Sequence, residues 1–413
     1  MSVKGDLRVL RSLEDIEAMR ADWTKLGSLP EHHWDMYWSS IRDRERPPDP
    51  YVVALLEDGQ LRSALAGWVE AGHVSLKLGY WKVLRVPVRK IVVPMQGLPS
   101  QGDADALVGM VDRVVADLRD RRADVAVFEY LKEDSALHRA AMRVPRGFWM
   151  RDRVPERRVH RQLKLPATFK EYDREHKGLL QKVRRFERAF QGRFEHRLLT
   201  RVDEIEAFCE GAEAVARGTY QRALGEGFLN SREDRGKIRA AARQGAWRAF
   251  VTLVDGKTVA FWSGCQFGSD VFLWWTGYDA VYQEFSPGLV SSARMVELLI
   301  AAGVTAVDFG GGDAPYKERL CNESWWEESV CFYAPGLKGS VASGVRGIDA
   351  AVGNLTRTKL KGLANRLKTP WRRLMARRMS PRETPPRVRE EGGPDIKAQG
   401  APGSDARRRP PGE

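Results

Sequence analysis

One succession of patterns occurs twice in the chain and limits what it can fold into. Asp58-Gly59 separates two apolar runs in the first half of the sequence, and Asp255-Gly256 does the same in the second half. An Asp-Gly pair between apolar runs is typical of a tight β-hairpin. Each hairpin is followed by a further strand pattern, a helical pattern and a short apolar run. The chain is therefore predicted to be a tandem duplication of one unit, in which a β-meander leads through a helix into a parallel strand.

The length of 413 residues suits two domains, since roughly 100–200 residues per domain is usual. We expect a mixed α/β (α+β) fold of two tandem units. Each unit would hold a mixed, mostly antiparallel sheet flanked by helices, and a basic C-terminal tail would follow. The expected boundaries are a degenerate unit at 1–150, a unit carrying the site at 151–335, a basic amphipathic helical segment at 336–379 and a disordered tail at 380–413.

The net charge of +13 lies almost wholly in the tail. From Gly336 to Glu413 there are 18 lysines and arginines and 7 acidic residues, which leaves 50 basic and 48 acidic residues in the first 335. A nucleic-acid-binding domain usually carries a basic face on the fold itself. The nearly neutral body therefore argues against nucleic acid as the partner.

Several other classes are excluded by simple patterns. No run of 18 apolar residues exists, so no membrane-spanning helix is predicted, and the N-terminus lacks the apolar stretch of a secretory signal. Four cysteines without a CxxC motif or a ligand-spaced histidine pair predict neither a disulfide framework nor a metal site. A reducing, cytoplasmic location is therefore expected.

The second half also carries an ordered set of short motifs. They are Trp247-Arg248-Ala249-Phe250, Asp255-Gly256-Lys257-Thr258-Val259-Ala260, Trp275-Thr276-Gly277-Tyr278-Asp279, Phe285-Ser286-Pro287-Gly288 and Val307-Asp308-Phe309-Gly310-Gly311-Gly312-Asp313-Ala314-Pro315-Tyr316-Lys317. The set resembles the GNAT acyltransferase superfamily, and within it the cellulose-biosynthesis-protein-like (CelD-like) branch, which is related to the FemABX peptidyltransferases. The segments 23–26 and 34–39 resemble the opening of that branch, so the resemblance covers about residues 6–334. It implies that both units are GNAT-like and that the chain is an acyltransferase.

The turn before the predicted helix at 291–302 is the candidate donor site. The first backbone N–H groups of a helix and its partial positive charge suit a pyrophosphate, and Gly288 lets a ligand approach closely. The resemblance implies that this turn holds acetyl-CoA or another acyl-CoA. An ordinary Ser/Pro helix start is the alternative interpretation. The residues concerned are Ser286, Pro287, Gly288, Leu289, Val290 and Ser291.

The segment from Asp308 to Lys317 is the candidate catalytic segment. Acyl transfer to an amine needs a base for the amine proton and an acid for the leaving thiolate. Asp308 or Asp313 is the candidate base and Tyr316 the candidate acid, while Lys317 would pair with an anionic group or hold developing charge. Alternatively, Asp308 caps the loop and Tyr316 begins an exposed helix. The glycines that would let the chain pass close to a substrate are Gly310, Gly311 and Gly312.

Aromatic residues on the third strand of the second meander are candidate substrate contacts. Side chains alternate across a strand, so Trp274 and Trp275 are expected to face opposite sides, one in the core and the other flooring a sugar or acyl pocket. Tyr278 completes the set. The first unit has no glycine loop after its equivalent strand at 125–130, so it is predicted to be structural and to supply one wall of the cleft.

The tail allows two interpretations. Apolar residues from Ile348 to Leu374 approximate a helical stripe, and Arg357 to Arg378 contains nine basic residues and no acidic residue. Such a segment can lie on an anionic membrane surface, which predicts a peripheral contact through residues 346–379 at the inner membrane face. The alternative is a helix that packs back on the body with a solvated basic side.

Three functions follow from these patterns. The first is an acyl-CoA-dependent N- or O-acyltransferase acting on a nucleotide sugar, glycan or other envelope or exopolysaccharide precursor. The second is a FemABX-type transferase that uses aminoacyl-tRNA, which the neutral body disfavours. The third is a non-catalytic component of a polysaccharide-synthesis complex. In that case Asp308, Asp313 and Tyr316 would be packing or loop residues.

Overall fold

The computed structural model describes residues 5–359 except for 27–32, 79–80, 95–103, 145–146, 148–149, 151–153, 177, 220–221 and 223–226. The predicted disordered tail at 380–413, and the part of the amphipathic segment beyond residue 359, lie outside the described residues. Those two predictions therefore stay predictions.

Twelve strands of the described chain form one continuous sheet. Its order is β1-β2-β3-β4-β5-β12-β6-β11-β10-β9-β8-β7. The strands are Asp6–Leu10 (β1), Asp49–Glu57 (β2), Gln60–Leu78 (β3), Trp81–Val93 (β4), Val125–Lys132 (β5), Glu156–Lys164 (β6), Phe194–Leu199 (β7), Trp247–Val254 (β8), Lys257–Phe267 (β9), Asp270–Tyr278 (β10), Ala306–Gly311 (β11) and Glu323–Tyr333 (β12).

Helices cover both faces of this sheet. They are Leu13–Ala18 (α1), Arg20–Leu26 (α2), Trp34–Arg42 (α3), Ala104–Arg119 (α4), Ala136–Arg143 (α5), Phe169–Glu175 (α6), Leu179–Ala189 (α7), Ile205–Arg217 (α8), Arg232–Arg243 (α9), Pro287–Ala301 (α10), Pro315–Leu320 (α11) and Leu337–Lys359 (α12). We call the face of the sheet that is covered by α1–α3, α8, α9 and α12 the front face. The opposite face, which is covered by α4–α7, α10 and α11, is the back face. The predicted mixed α/β fold is confirmed.

The two halves repeat one arrangement of strands. In each half four antiparallel strands are followed by a helix and by a strand parallel to the fourth, namely β1–β4, α4 and β5, then β7–β10, α10 and β11. The duplicated hairpins share their turn geometry. Asp58 and Asp255 have φ of 52° and 50°, and the glycines that follow have φ of 78° and 75°. Two consecutive left-handed residues are the requirement of a type I′ turn, which explains the Asp-Gly pairs.

The halves are joined by an exchange of strands at the centre of the sheet. β6 comes directly after β5 along the chain, yet it pairs with β11 of the second half and not with β5. β12 comes last and pairs with β5 of the first half. β6 and β12 then pair with each other. The centre of the sheet is thus built from both halves, and side chains on β6, β11 and β12 become neighbours.

Three elements differ from the sequence-based predictions. The sequence at 167–190 has a helical pattern throughout, but Gly178, with φ of 85°, separates α6 from α7 because a left-handed residue interrupts a helix. The helix α9 and the strand β12 were not predicted. β12 carries consecutive polar residues in its first half, so the alternation typical of a half-buried strand is absent there.

Candidate active site where β10 and β11 diverge

The parallel strands β10 and β11 diverge part-way along their length. Asp270–Phe272 pairs with Ala306–Asp308, and the described pairing stops there although both strands continue. The register of β10 against β9 also shifts between Leu273 and Trp275, which marks a β-bulge. A bulge bends its strand away from the ladder. Beyond Phe272, β10 therefore has no partner strand on its β11 side within the described sheet, which leaves room for a ligand between the two strands.

The bulge overturns the prediction that Trp274 and Trp275 face opposite sides. Their ring centroids lie 5.4 Å apart, and both pack against the front-face core. The extra residue in a bulge breaks the strict alternation of side chains, which is why two successive residues share a face. Lys237 of α9 caps them, with Nζ 4.3 Å from the Trp274 ring centroid and 5.5 Å from that of Trp275.

Fewer backbone N–H groups are free at the start of α10 than the sequence suggested. The N–H groups of Leu289 and Val290 both donate to the Ser286 carbonyl, at 3.0 and 3.1 Å. Pro287 has no N–H, so the prediction of several free amides is wrong and the Gly288 N–H is the remaining candidate donor. Ser286 holds a left-handed conformation (φ 53°), and its side chain makes no capping hydrogen bond.

Gly288 and the neighbouring aromatic side chain form one wall at this end. A Cβ at Gly288 would lie 3.2 Å from Cδ1 of Tyr278, so a larger residue would have to displace that ring. Tyr278 is 43% exposed and stands at the end of β10. The exposed guanidinium of Arg185 on α7 lies 5.5 Å from the Phe285 ring centroid, which brings a positive charge to the start of α10. Val290 and Ser291 are buried and belong to the core side of this helix.

Asp308 is buried in a row of alternating charges on the front face. His160 Nε2 lies 2.7 and 2.8 Å from the two Asp308 carboxylate oxygens, and the Gly310 N–H also donates to Oδ1 at 2.7 Å. On its other side, His160 Nδ1 lies 2.7 Å from Glu327, which accepts from Arg158 Nε at 2.8 Å. The row uses β11, β6 and β12, so it exists only because the strands are exchanged.

The charge state of this row is set by its members. Burial disfavours the imidazolium, but the hydrogen bonds and charges of Asp308 and Glu327 outweigh it and raise the pKa of His160 to about 9. Burial also opposes ionisation of Glu327, yet His160 and Arg158 hold its pKa below the usual range. At neutral pH His160 is therefore an imidazolium that faces the ionised carboxylate of Glu327. His160 is a charged positioning group for Asp308 rather than a free base.

Aromatic rings support the row from both sides. Trp325 stacks on His160, with ring centroids 4.4 Å apart and an interplanar angle of 12°. Arg158 lies over the ring of Tyr130, a non-glycine residue with φ of 54° at an irregularity of β5. A Cβ at Gly311 would lie 2.1 Å from Arg158 Nε, so a side chain there would displace the guanidinium from the row. Left-handed tyrosine is uncommon and costs backbone energy, and such outliers cluster at functional sites.

The other residues of the predicted catalytic segment separate into different roles. Lys317 Nζ donates to the carbonyls of Gly311 at 2.7 Å and of Gly310 at 3.4 Å, so it braces the glycine loop. Gly310 and Gly312 have φ of 70° and 104°, a backbone conformation that favours glycine. Asp313 is 77% exposed on its side chain and pairs with Arg161 at 3.1 Å. The structure therefore places Asp308, and not Asp313, at the buried position.

Tyr316 begins α11 on the back face, across the sheet from Asp308. Val307 and Phe309 belong to the back-face core, so the residue between them points to the front. Tyr316 packs against Trp262, with ring centroids 5.9 Å apart, and burial raises its pKa to about 12. A phenol with this pKa stays protonated at neutral pH and is a proton donor. Asp308 and Tyr316 thus flank the β10–β11 divergence from opposite faces.

Two buried indole nitrogens beside the divergence make no hydrogen bond with any described residue. They are Nε1 of Trp262 on the back face and Nε1 of Trp274 on the front face. Buried donors are nearly always satisfied, by protein, water or ligand. Their position fits a ligand that brings hydrogen-bond acceptors to the divergence.

Sequence reasoning missed His160, Glu327 and Arg158. The basic run on β6 and the acidic run on β12 face each other across the centre of the sheet. Complementary charge between two segments was the available signal, but β12 had not been recognised as a strand. Within the described residues no cluster of three or more His, Cys, Asp or Glu side chains could hold a metal ion. No helix in that part of the chain is long and apolar enough to span a bilayer.

Comparison with known proteins identifies a domain in the second half of the chain. Residues 174–318 match the family model described as an acetyltransferase (GNAT) domain. The matched region contains the divergence, the start of α10, Asp308 and Tyr316. The second half is therefore a GNAT domain, and the chain is a GNAT-type acyltransferase.

Among the solved structures similar to this chain, FemX shares its fold. FemX is 11% identical, with a TM-score of 0.53 over 79% of this chain and 97% of that one. The C-terminal domain of a putative lysylphosphatidylglycerol synthetase from Agrobacterium fabrum is 12% identical, with a TM-score of 0.49 over 81% and 96%. A tandem GNAT protein from the clavulanic acid biosynthesis pathway is 11% identical, with a TM-score of 0.46 over 80% and 100%. A search of the curated proteins finds no match.

Residues 174–318 thus carry a GNAT domain, and the chain shares its fold with FemX. The likeness to FemX concerns the fold alone. The narrower CelD-like placement stays a prediction from the sequence motifs.

Proposed function

We propose that the chain transfers an acyl group from acetyl-CoA or another acyl-CoA to an amino or hydroxyl group of a phosphorylated sugar or glycan precursor. The observation that carries this proposal is the divergence of β10 and β11, which is flanked by a buried carboxylate on one face and a protonated phenol on the other. The proposal keeps Ser286, Gly288, Asp308 and Tyr316 as site residues and drops Asp313 as a base.

The donor fits the divergence on physical grounds. An acyl-CoA supplies a thioester on an extended arm that contains two amides, and such an arm can hydrogen-bond to strand edges as an added strand does. The unpaired stretches of β10 and β11 offer those edges. The Gly288 N–H, the start of α10 and the charge on Arg185 suit the phosphate end of the same ligand.

The two side chains that flank the divergence would carry out the two proton transfers of the reaction. Asp308 would accept the proton of the attacking amine or hydroxyl, directly or through one water, while His160 and the Gly310 N–H hold its carboxylate in place. Tyr316 would donate its phenolic proton to the departing thiolate. The tryptophan pair at 274 and 275 would line the acceptor side on the front face.

A groove between α3 and α9 supports a phosphorylated acceptor. Arg42 comes from the first half of the chain and Arg232 and Arg243 from the second, and they line a cavity of about 220 Å³ together with Trp38. The carboxylates of Asp35 and Asp43 line the same cavity. Asp35 lies 3.6 Å from Arg20 and Asp43 accepts from Ser39 at 2.7 Å, so neither neutralises the three arginines through an ion pair among the described residues. Guanidinium groups bind phosphate well, and an indole offers a stacking surface. The groove joins the two halves on the front face, where the acceptor is expected.

The test is a calorimetric titration of the full chain with acetyl-CoA and with longer acyl-CoAs. We expect saturable binding of one donor per chain, and at least about tenfold weaker binding by Gly288→Val, because its side chain would displace Tyr278. Gly344→Val is the matched control, since a Cβ there meets open space, and it should bind like the wild type.

The same titration distinguishes the alternative. Absence of binding to every acyl-CoA, together with binding of aminoacyl-tRNA, would replace the proposal with a FemABX-type aminoacyl transfer. Once donor binding is established, a screen of nucleotide sugars for release of free CoA would identify the acceptor. The cytoplasmic location and a peripheral contact of residues 346–379 with the inner membrane face remain part of this proposal.

A further inference from the structure

The helix α7 presents a basic outer surface beside the proposed donor site. It contains four lysines and arginines and a single carboxylate, that of Glu187. Since its buried residues lie on one side of the helix, the opposite side faces solvent. All four basic residues are exposed, and they are Lys182, Arg184, Arg185 and Arg188. We call these four residues the α7 basic surface.

No carboxylate of the described chain forms an ion pair with the α7 basic surface. Glu187 points elsewhere, since it pairs with Arg294 of α10, which also pairs with Glu297. Arg188 Nε donates to the Arg184 carbonyl of the same helix at 3.3 Å, a contact that leaves the positive charge of Arg188 in place. The four charges are therefore available to an anionic partner.

The α7 basic surface adjoins the start of α10. The guanidinium of Arg185 lies 5.5 Å from the ring centroid of Phe285, the residue that directly precedes Ser286. The ion pair of Glu187 with Arg294 connects α7 to α10. The proposed function places the phosphate end of the donor at this helix start. A partner bound to α7 would therefore stand where a thioester arm enters the β10–β11 divergence.

The extent of this surface narrows the kind of partner. From Lys182 to Arg188 it covers about 9 Å along the helix axis. The preceding helix α6 contains three carboxylates and two basic residues, and on the edge strand β7 Glu195 pairs with Arg197. An RNA-binding surface is usually broader, because it contacts several phosphates along the backbone. A positive surface confined to one helix fits an acidic helix of a small protein.

We propose that the α7 basic surface docks an acidic carrier protein, which serves as a donor besides acyl-CoA and bears the acyl thioester on a phosphopantetheine arm. This arm has the thioester and the two amides of an acyl-CoA, so it fits the divergence in the same way. The acceptor forms the new bond to the acyl carbon and gives its proton to Asp308, while the C–S bond breaks and the carrier thiolate takes the proton of Tyr316. The reaction rests on the proposed function, whereas the docking is measured by itself.

The test is calorimetric titration of the full chain with a holo acyl carrier protein, a small acidic protein that carries the arm. We expect saturable binding that weakens as salt is raised. Arg184→Glu with Arg188→Glu should bind the carrier at least about tenfold more weakly, and acetyl-CoA nearly as the wild type does, because Arg185 is retained. Arg139→Glu with Arg143→Glu is the matched control. These two exposed arginines also lie four residues apart on one helix, α5, and their replacement should leave carrier binding unchanged.

Loss of carrier binding in the α7 variant with retention in the α5 variant supports the proposal. Equal carrier binding by the α7 variant and the wild type overturns it. A wild type that binds acetyl-CoA and no carrier also overturns it and leaves the proposed function standing. Carrier binding without acetyl-CoA binding supports it and contradicts acyl-CoA as the donor.

Bulk tRNA is titrated in parallel. Binding of tRNA that the α7 variant loses, with no binding of the carrier, would assign the surface to RNA and overturn the proposal. Arg184→Gln with Arg188→Gln, checked by thermal unfolding, repeats the comparison if the glutamate variant does not fold.

Discussion

Replacing His160 with alanine is expected to lower the free energy of unfolding by about 3–5 kcal/mol, because Asp308 and Glu327 would lose the buried cation between them. The measurement is chemical denaturation of the full chain at constant pH. His138→Ala is the matched control. His138 is buried as well and faces one carboxylate, Glu328, which retains Arg157 as a second partner at 2.9 Å. His138→Ala should therefore lower the free energy of unfolding by clearly less than His160→Ala does.

The pH dependence gives this prediction a second readout. The pKa of His160 is raised to about 9 in the folded chain, so its stabilising contribution is complete below its unfolded pKa of about 6.5. That contribution is lost as pH rises through about 9. The wild type should therefore lose stability over this range relative to His160→Ala. The triple variant with Asp308→Asn and Glu327→Gln should recover part of the loss. A small loss without pH dependence would show that the row of charges is not formed as described.

Replacing Tyr316 with phenylalanine is expected to lower the turnover number by roughly 10²–10⁴-fold while leaving donor affinity and the unfolding temperature nearly unchanged. The phenol of Tyr316 would be the proton donor to the thiolate, and phenylalanine keeps its packing against Trp262. The measurement is release of free CoA from the acyl-CoA with the acceptor that the screen identifies.

A nearby tyrosine provides the control for this change. Tyr172 is buried in the same back-face core, and its hydroxyl makes no hydrogen bond with a described residue. Tyr172→Phe should keep the turnover number within a few-fold of the wild type. Similar turnover in Tyr316→Phe and Tyr172→Phe would remove Tyr316 from the proposed chemistry.

Local patterns made the repeated part of the fold predictable. Asp58 and Asp255 occupy turns that demand left-handed backbone, so the hairpins could be located from two residues each. The long apolar periodicity of α4 and the glycine after α10 likewise fixed those helices, since Gly303 has φ of 75°. Each of these signals depends on a few neighbouring residues. These elements can therefore be predicted without knowledge of the tertiary structure.

The centre of the site depends on contacts that no local pattern reports. β6 and β12 are separated by more than 150 residues, and their exchange between the halves brings His160 to Asp308. The bulge in β10 similarly moved Trp275 to the same face as Trp274. The segment after β11 was recognisable as a motif, but the exposure of Asp313 depends on how its loop turns toward Arg161. Motifs therefore indicated the region, and strand pairing decided the roles.

Hydrogen–deuterium exchange with and without saturating acyl-CoA tests the central claim most directly. The account predicts that the donor slows exchange at the divergent ends of β10 and β11 and at the start of α10, that is, over 273–278, 286–290 and 309–312. The α3–α9 groove should exchange as before. Protection confined to other regions, or no change in a titration that shows binding, would mean that the donor does not lie between these strands.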